Sequence, residues 1–198
     1  MPKGRLEAFS DGVIAILITI MVLELRTPPG TSWHALGHEL PVLLAYALSF
    51  VYLGIYWNNH HHMLAATSRV TGAAMWANLH LLFWLSLVPF STAWMSEHRF
   101  PSVPTAVYGI VLLCAAIAYY LLQTMLLRAE GEHSLLRTAI GSDVKGKISP
   151  LLYCFGIGLS FAEPWLGLAM YVLVALIWLV PDRRVERHLA TAAAEPSE

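Results

Sequence analysis

Charged residues and cysteine are both scarce in this chain of 198 residues. Asp, Glu, Lys and Arg make up 13% of it and apolar residues 57%, whereas a soluble domain carries about 25% charged residues. This composition excludes a disordered chain, argues against a soluble globule and predicts a protein of the lipid bilayer. The two cysteines, Cys114 and Cys154, lie in apolar runs, which excludes a disulfide scaffold or a Cys-rich zinc site. The net charge of −1 gives no basic field, so no nucleic-acid partner is expected.

The apolar runs predict an all-α membrane protein with six transmembrane helices. The hydrocarbon core of a bilayer is about 30 Å thick, and a helix needs about 20 residues to cross it. The run from Ile148 to Pro181 contains one formal charge, Glu163, and is too long for one crossing. Pro164 divides it, because proline cannot continue a helix that is hydrogen-bonded at that point. The predicted spans are 6–25, 36–62, 72–96, 103–127, 146–162 and 164–181.

The first predicted helix has features of a signal peptide, since Lys3 and Arg5 precede an apolar core. Glu7 and Asp11 are unsuitable for such a segment, and no small-x-small cleavage site follows it. We therefore expect this segment to remain in the protein as a structural helix.

The distribution of basic residues predicts the orientation in the membrane. Six spans place both termini on one side, and the loops of the other side contain only Arg26 and Arg99 of the twelve Lys and Arg residues. Cytoplasmic loops carry the excess of Lys and Arg. We therefore expect a multi-pass protein of the cell membrane with both termini cytoplasmic. Residues 1–188 are expected to form the transmembrane domain, and residues 189–198 a disordered cytoplasmic tail.

Polar side chains cluster at the cytoplasmic end of the first three predicted helices. Asp11 lies near the start of helix 1, His60–His62 end helix 2, and helix 3 carries Asn78 and His80. Lipid cannot satisfy such groups, so they are expected to hydrogen-bond with one another. The alternative is that Asp11 is an interfacial carboxylate stabilised by the helix dipole.

Helix 1 also has a regular apolar stripe. At 100° per residue, the residues on it are Gly12, Ile16, Thr19, Ile20 and Leu23. Asp11 points about 140° away from Ile16. Such a stripe is also compatible with ordinary packing against lipid or against other helices.

These residues resemble the first-helix signature of a known family. The pattern Arg-x-x-x-Phe-Ser-Asp-Gly/Ala is typical of the lysosomal potassium channels and their bacterial homologues, the transmembrane protein 175 family. The chain has Arg5, Phe9, Ser10, Asp11 and Gly12 at those offsets. The match continues into helices 2 and 3 with Tyr56, Trp57, His60, His61, Asn78, Pro89 and Phe90.

The resemblance implies a potassium-permeable cation channel without a Thr-Val-Gly-Tyr-Gly filter. It implies a homotetramer of six-helix subunits, in which four copies of helix 1 line a central pore for monovalent cations. Counted from Phe9-Ser10-Asp11, the position of the hydrophobic constriction is Ile16, and further apolar rings are at Ile20 and Leu23. The polar position associated with preference for K⁺ is Thr19. Ala15 stands where some members have Ser, which implies weak-to-moderate selectivity for K⁺.

The resemblance also implies a polar network that holds helix 1 in place. Arg5, Asp11 and a histidine of helix 2 are expected to be in contact within it. It implies no enzyme activity, no metal and no cofactor besides the permeant K⁺. The full set expected in this network is Arg5, Phe9, Ser10, Asp11, Trp57, His60, His61, Asn78 and His80.

Two other functions are compatible with the sequence. His60–His62 and His80 are possible ligands of an intramembrane metal-binding enzyme or metal transporter. Three consecutive helical histidines point about 100° apart, however, and no His-Glu-x-x-His motif accompanies them. The second possibility is a structural membrane subunit or a solute carrier, although no inverted repeat with broken helices is visible. Metal content and cation flux distinguish these functions from a channel.

Overall fold

A computed structural model describes residues 2–130, 136–137 and 143–179 of the chain. All regular secondary structure in these residues is helical, which confirms the predicted all-α class. Four helical runs are long and apolar enough to cross a membrane: Lys3–Glu24, Leu40–Ala65, Gly72–Glu97 and Ser102–Glu130. A further apolar helix, Pro164–Leu179, has 16 residues. Six crossings remain a prediction, and the tail at 189–198 lies outside the described residues.

Helix α1 (Lys3–Met21) has one buried and one exposed face, and a 3₁₀ turn at Val22–Glu24 continues it. Its first turn starts earlier than the predicted residue 6, because hydropathy detects only the apolar part, whereas the Arg5 N–H already donates to the carbonyl of Pro2. The buried face packs against the helices that follow α1 in the sequence. It consists of Leu6, Ser10, Ile14, Leu17 and Met21.

The second predicted span, 36–62, forms two helices. Helix α2 (Trp33–His38) is capped by Ser32, whose hydroxyl accepts from the backbone N–H of Ala35. Helix α3 (Leu40–Ala65) has a proline in its first turn, a position where the missing N–H costs no helical hydrogen bond. The helix long enough to cross a membrane is therefore α3, and it extends beyond the predicted end.

The third predicted span, 72–96, is also divided. Helix α4 (Gly72–Ser86) and helix α5 (Val88–Glu97) are separated by Leu87. Pro89 accounts for the interruption, because it has no N–H to donate to the carbonyl four residues earlier. The hydropathy of the run gives its length, but it does not show this interruption.

Helix α6 (Ser102–Glu130) packs against α4, α5, α7 (Val144–Ala162) and α8 (Pro164–Leu179). The chain is extended at Glu163 between α7 and α8, where the sequence predicts the division at Pro164. Two glycines pack closely against the buried ring of Tyr171. A Cβ on Gly109 would lie 2.0 Å from the Tyr171 hydroxyl, and a Cβ on Gly156 would lie 2.5 Å from its ring.

Contacts between loops and helix termini define two ends of the bundle. At the N-terminal end, Lys3 Nζ donates to the carbonyls of Ala65 (3.1 Å) and Thr67 (3.0 Å). Glu130 accepts there from the backbone N–H groups of residues 68 and 69. At the opposite end, Arg26 forms an ion pair with Glu97.

Candidate functional site

The stripe of α1 predicted from the sequence lies on its exposed face. Ile16 is 57% exposed, Ile20 43% and Leu23 79%. Thr19 and Gly12 are exposed on the same side of the helix. In the single chain this apolar surface has no protein partner among the described residues, while the opposite face of α1 is fixed in the core.

Thr19 places the only hydroxyl among the five residues of the stripe. Its Oγ1 donates to the backbone carbonyl of Ile16 at 2.9 Å, one turn earlier in the helix. Because the hydroxyl proton is used in this bond, the oxygen lone pairs remain available on the exposed side. The side chain can therefore accept from water or contact a cation without breaking its own hydrogen bond.

A fully buried line of hydrogen bonds fixes α1 to α3 and α4. Ser10 Oγ donates to the carbonyl of Leu6 (2.9 Å) and accepts from Asn78 Nδ2 (2.9 Å). Asn78 Oδ1 lies 2.8 Å from His60 Nε2. Ser10, His60 and Asn78 each have 0% exposure, and we call these three side chains the buried latch. Since the amide oxygen can only accept, His60 Nε2 carries the proton in this arrangement.

The two acidic residues of α1 contact two further side chains of α3. Asp11 Oδ1 accepts from Trp57 Nε1 at 3.1 Å, and Glu7 Oε1 lies 3.1 Å from His61 Nδ1. The rings of Trp57 and His61 are stacked with centroids 6.3 Å apart. Glu7 and Asp11 are four residues apart on α1, and Trp57 and His61 are four residues apart on α3. One turn of each helix therefore faces one turn of the other, and the two helices are antiparallel.

Among the described residues, no hydrogen bond or ion pair joins Asp11 to Arg5 or to a histidine of α3, so this expected contact remains a prediction. Arg5 is exposed, and its guanidinium forms no ion pair with the carboxylates that the structure describes. Trp57 takes the expected position as partner of Asp11. Glu7 was not predicted as part of this network, although its spacing from Asp11 matches the spacing between Trp57 and His61.

Phe9 and His80, like Arg5, belong neither to the buried latch nor to the contacts of Glu7 and Asp11 with α3. Phe9 is 52% exposed, next to the buried Ser10 but on the open side of α1. His80 is exposed and accepts at Nε2 from Trp84 Nε1 on its own helix at 2.9 Å.

The histidines proposed as metal ligands diverge in the structure. His60 is buried against Asn78, His61 contacts Glu7, and His80 contacts Trp84. Among the described residues, no group of three or more His, Cys, Asp or Glu side chains is placed to hold a metal ion. The geometry therefore does not favour the metal-binding alternative.

Comparisons with known proteins agree on one family. The sequence profile of the endosomal/lysosomal potassium channel TMEM175 matches residues 5–89. A potassium channel of Chryseobacterium sp. (strain P1-3) is 55% identical over 189 residues, which cover 96% of this chain and 98% of the relative. A potassium channel of Streptomyces collinus is 37% identical, covering 89% and 91%. The crystal structure of a lysosomal potassium-selective channel TMEM175 homologue from Chamaesiphon minutus is similar, with a TM-score of 0.77, 32% identity, and coverage of 90% and 96%.

Proposed function

Because the chain belongs to the TMEM175 family of endosomal/lysosomal potassium channels, we propose that it is a potassium-permeable cation channel. The relatives at 55% and 37% identity are named potassium channels. The chain is a membrane protein of a channel family and not an enzyme. The observation that carries the proposal for the pore is the exposed stripe of α1, which has an apolar surface, one available hydroxyl oxygen and a fixed opposite face.

The protein assembles as a homotetramer around this stripe. One helix cannot enclose an aqueous path, but copies related by rotational symmetry can present the same stripe to a common axis. An open groove of about 590 Å³ beside α1 supports assembly, since it leaves further apolar surface for a neighbouring subunit. It is lined by Leu17, Ile20, Glu24, Ser86, Pro89, Phe90, Ala93, Trp94 and Glu97.

Ile16 forms the hydrophobic constriction of the proposed pore. A ring of isoleucine side chains offers no hydrogen bond to water, so a narrow ring excludes water and blocks ions. Ile20 and Leu23 form further apolar rings toward the opposite end. Thr19 provides hydroxyl oxygens between the rings of Ile16 and Ile20. These oxygens replace part of the hydration shell of K⁺ and give weak-to-moderate selectivity.

The N-terminal end of the bundle faces the cytoplasm in this proposal, and the chain crosses the cell membrane six times. Lys and Arg concentrate on the cytoplasmic side of membrane proteins. Arg26 and Arg99 belong to the opposite end. The basic residues of the N-terminal end include Lys3, Arg5, Arg69, Arg128, Lys145 and Lys147.

Flux measurements in proteoliposomes test the proposal. Purified protein is reconstituted, and the influx of K⁺, Na⁺ and Cs⁺ is compared under imposed gradients. We expect K⁺ flux to exceed Na⁺ flux, and we expect native mass spectrometry of the same sample to give a tetramer. A monomer, or liposomes that are no more permeable than empty ones, would contradict the channel proposal.

Ile16→Ala tests the position of the constriction. The smaller side chain widens the ring and favours a wetted pore, so cation flux is expected to rise with selectivity unchanged or lower. Leu44→Ala is the matched control, because Leu44 on α3 has the same exposure of 57% as Ile16 but lies outside the stripe. Equal flux in the two variants would show that Ile16 does not limit conduction.

A further inference from the structure

A small cavity lies at the N-terminal end of the bundle, between α3, α6, α7 and α8. Its volume is about 40 Å³, and none of its lining residues belongs to α1. The residues that line it are Tyr52, Ile55, Tyr56, Asn59, Ala116, Tyr119, Tyr120, Gln123, Asp143, Gly146, Ser149, Tyr153 and Trp178. The cavity is therefore separate from the proposed pore.

Aromatic rings and one carboxylate dominate the lining of this cavity. Five tyrosines and one tryptophan contribute aromatic surface, and Asp143 is the only formally charged residue among the described residues of the lining. Some of the polar edges of these rings already have partners. The Tyr119 hydroxyl donates to the carbonyl of Asn59 (3.2 Å), and Trp178 Nε1 donates to Ser149 Oγ (2.8 Å). Aromatic faces next to a carboxylate favour a cation over a neutral or anionic molecule.

The carboxylate of Asp143 is held in a defined position. The residue has a left-handed backbone conformation with φ of 41°, which Asp tolerates better than most residues. Its Oδ1 accepts from the Gly146 N–H at 3.1 Å, and its Oδ2 accepts from Gln123 Nε2 at 3.2 Å. A Cβ at position 146 would lie 2.5 Å from both carboxylate oxygens. Gly146 is thus required for this placement of the charge.

We propose that this cavity binds a primary alkylammonium group. An ammonium head has three N–H donors, and the lining offers it acceptors that include the carboxylate of Asp143 and the side-chain oxygens of Asn59, Gln123 and Ser149. The methylene groups that follow the nitrogen would pack against the tyrosine rings. A volume of about 40 Å³ accommodates the ammonium head and its first methylene group, and the rest of the chain extends out of the cavity.

The cavity is lined in part by α3, the helix whose side chains contact α1. Tyr56 and Asn59 line the cavity, while the adjacent Trp57 and His60 contact Asp11 and Asn78. The same turn of α3 therefore has the cavity on one side and the contacts to α1 and α4 on the other. Binding itself can be measured without ion flux, so its test is independent of the channel proposal.

Calorimetric titration of the purified full-length protein with n-butylammonium chloride tests the proposal. 1-Butanol at the same concentrations is the neutral control of equal chain length, and sodium chloride is the control for ionic strength. We expect saturable binding of the amine and at least tenfold weaker binding of the alcohol. Equal affinities for amine and alcohol, or no saturable binding of the amine, would overturn the proposal.

Asp143→Asn tests whether the carboxylate of Asp143 binds the ammonium group. Asparagine also caps helix termini and tolerates the left-handed conformation, so the variant removes the charge while preserving the backbone. We expect it to lower the affinity for n-butylammonium about tenfold, whereas Glu163→Gln between α7 and α8 leaves the affinity unchanged. Wild-type affinity in Asp143→Asn would refute the assignment. If the variant does not fold, the comparison of amine and alcohol on the natural chain decides.

Discussion

Replacing Asn78 by alanine tests the buried latch, and the structure gives the size of the effect. The substitution removes the hydrogen bonds to Ser10 and His60, both at positions with 0% exposure. Interhelical hydrogen bonds in membrane proteins contribute about 0.6 kcal/mol on average and about 1.7 at most, so the two bonds account for about 1–3 kcal/mol. The volume lost at a fully buried position adds about 1 kcal/mol. We predict that Asn78→Ala lowers the free energy of unfolding by about 2–4 kcal/mol.

Asn59→Ala is the control, because the same side-chain type is removed from a local bond. Asn59 Nδ2 donates to the carbonyl of Ile55 within α3 at 2.8 Å, so its loss separates no helices and is expected to cost less than about 1 kcal/mol. Unfolding is measured in mixed micelles with increasing SDS, by circular dichroism and tryptophan fluorescence. Surface substitutions change the free energy of unfolding by about 0.5 kcal/mol. If the unfolding free energies of the two variants differ by less than this amount, the latch does not stabilise the fold.

The remaining predictions concern selectivity and packing. Thr19→Val keeps the β-branched shape but removes the oxygen, so the ratio of K⁺ to Na⁺ flux in proteoliposomes is expected to fall while total flux persists. An unchanged ratio would exclude Thr19 from selectivity. Gly109→Ala brings a Cβ to within 2.0 Å of the Tyr171 hydroxyl, and such overpacking is expected to cost about 1–3 kcal/mol in SDS unfolding. Gly158→Ala meets nothing within 4 Å and should be neutral or stabilising; equal effects of the two would refute the packing argument.

The periodicity of α1 was sufficient to predict its faces. A helix with 3.6 residues per turn fixes the relative directions of its side chains. Ile16, Thr19, Ile20 and Leu23 therefore lie together regardless of how neighbouring helices pack. Hydropathy also located the long helices, because the thickness of the bilayer sets the length of the apolar run that a crossing helix needs. These parts of the fold depend on local sequence alone.

The partners of the polar side chains could not be predicted in the same way. Whether Asp11 meets Arg5, a histidine or Trp57 depends on the rotation of α1 against α3, which hydropathy does not determine. The matched spacing of Glu7 with Asp11 and of Trp57 with His61 contained this information, because residues four apart face the same neighbour. The cavity around Asp143 is lined by residues of four helices between positions 52 and 178, so no local pattern predicted it.

The position of the buried latch has a mechanical consequence for α1. Ser10 anchors the helix to α4 by a directional hydrogen bond from Asn78, whereas Leu17 and Met21, farther along the same face, are held by non-directional apolar contacts. A rigid tilt of α1 therefore has its pivot near Ser10. Ile16 is six residues, or about 9 Å, from that pivot, so a tilt of about 6° moves its Cα by about 1 Å. Leu23 is farther from the pivot and moves about twice as far. A small tilt of α1 therefore changes the radius of the proposed pore along the whole stripe.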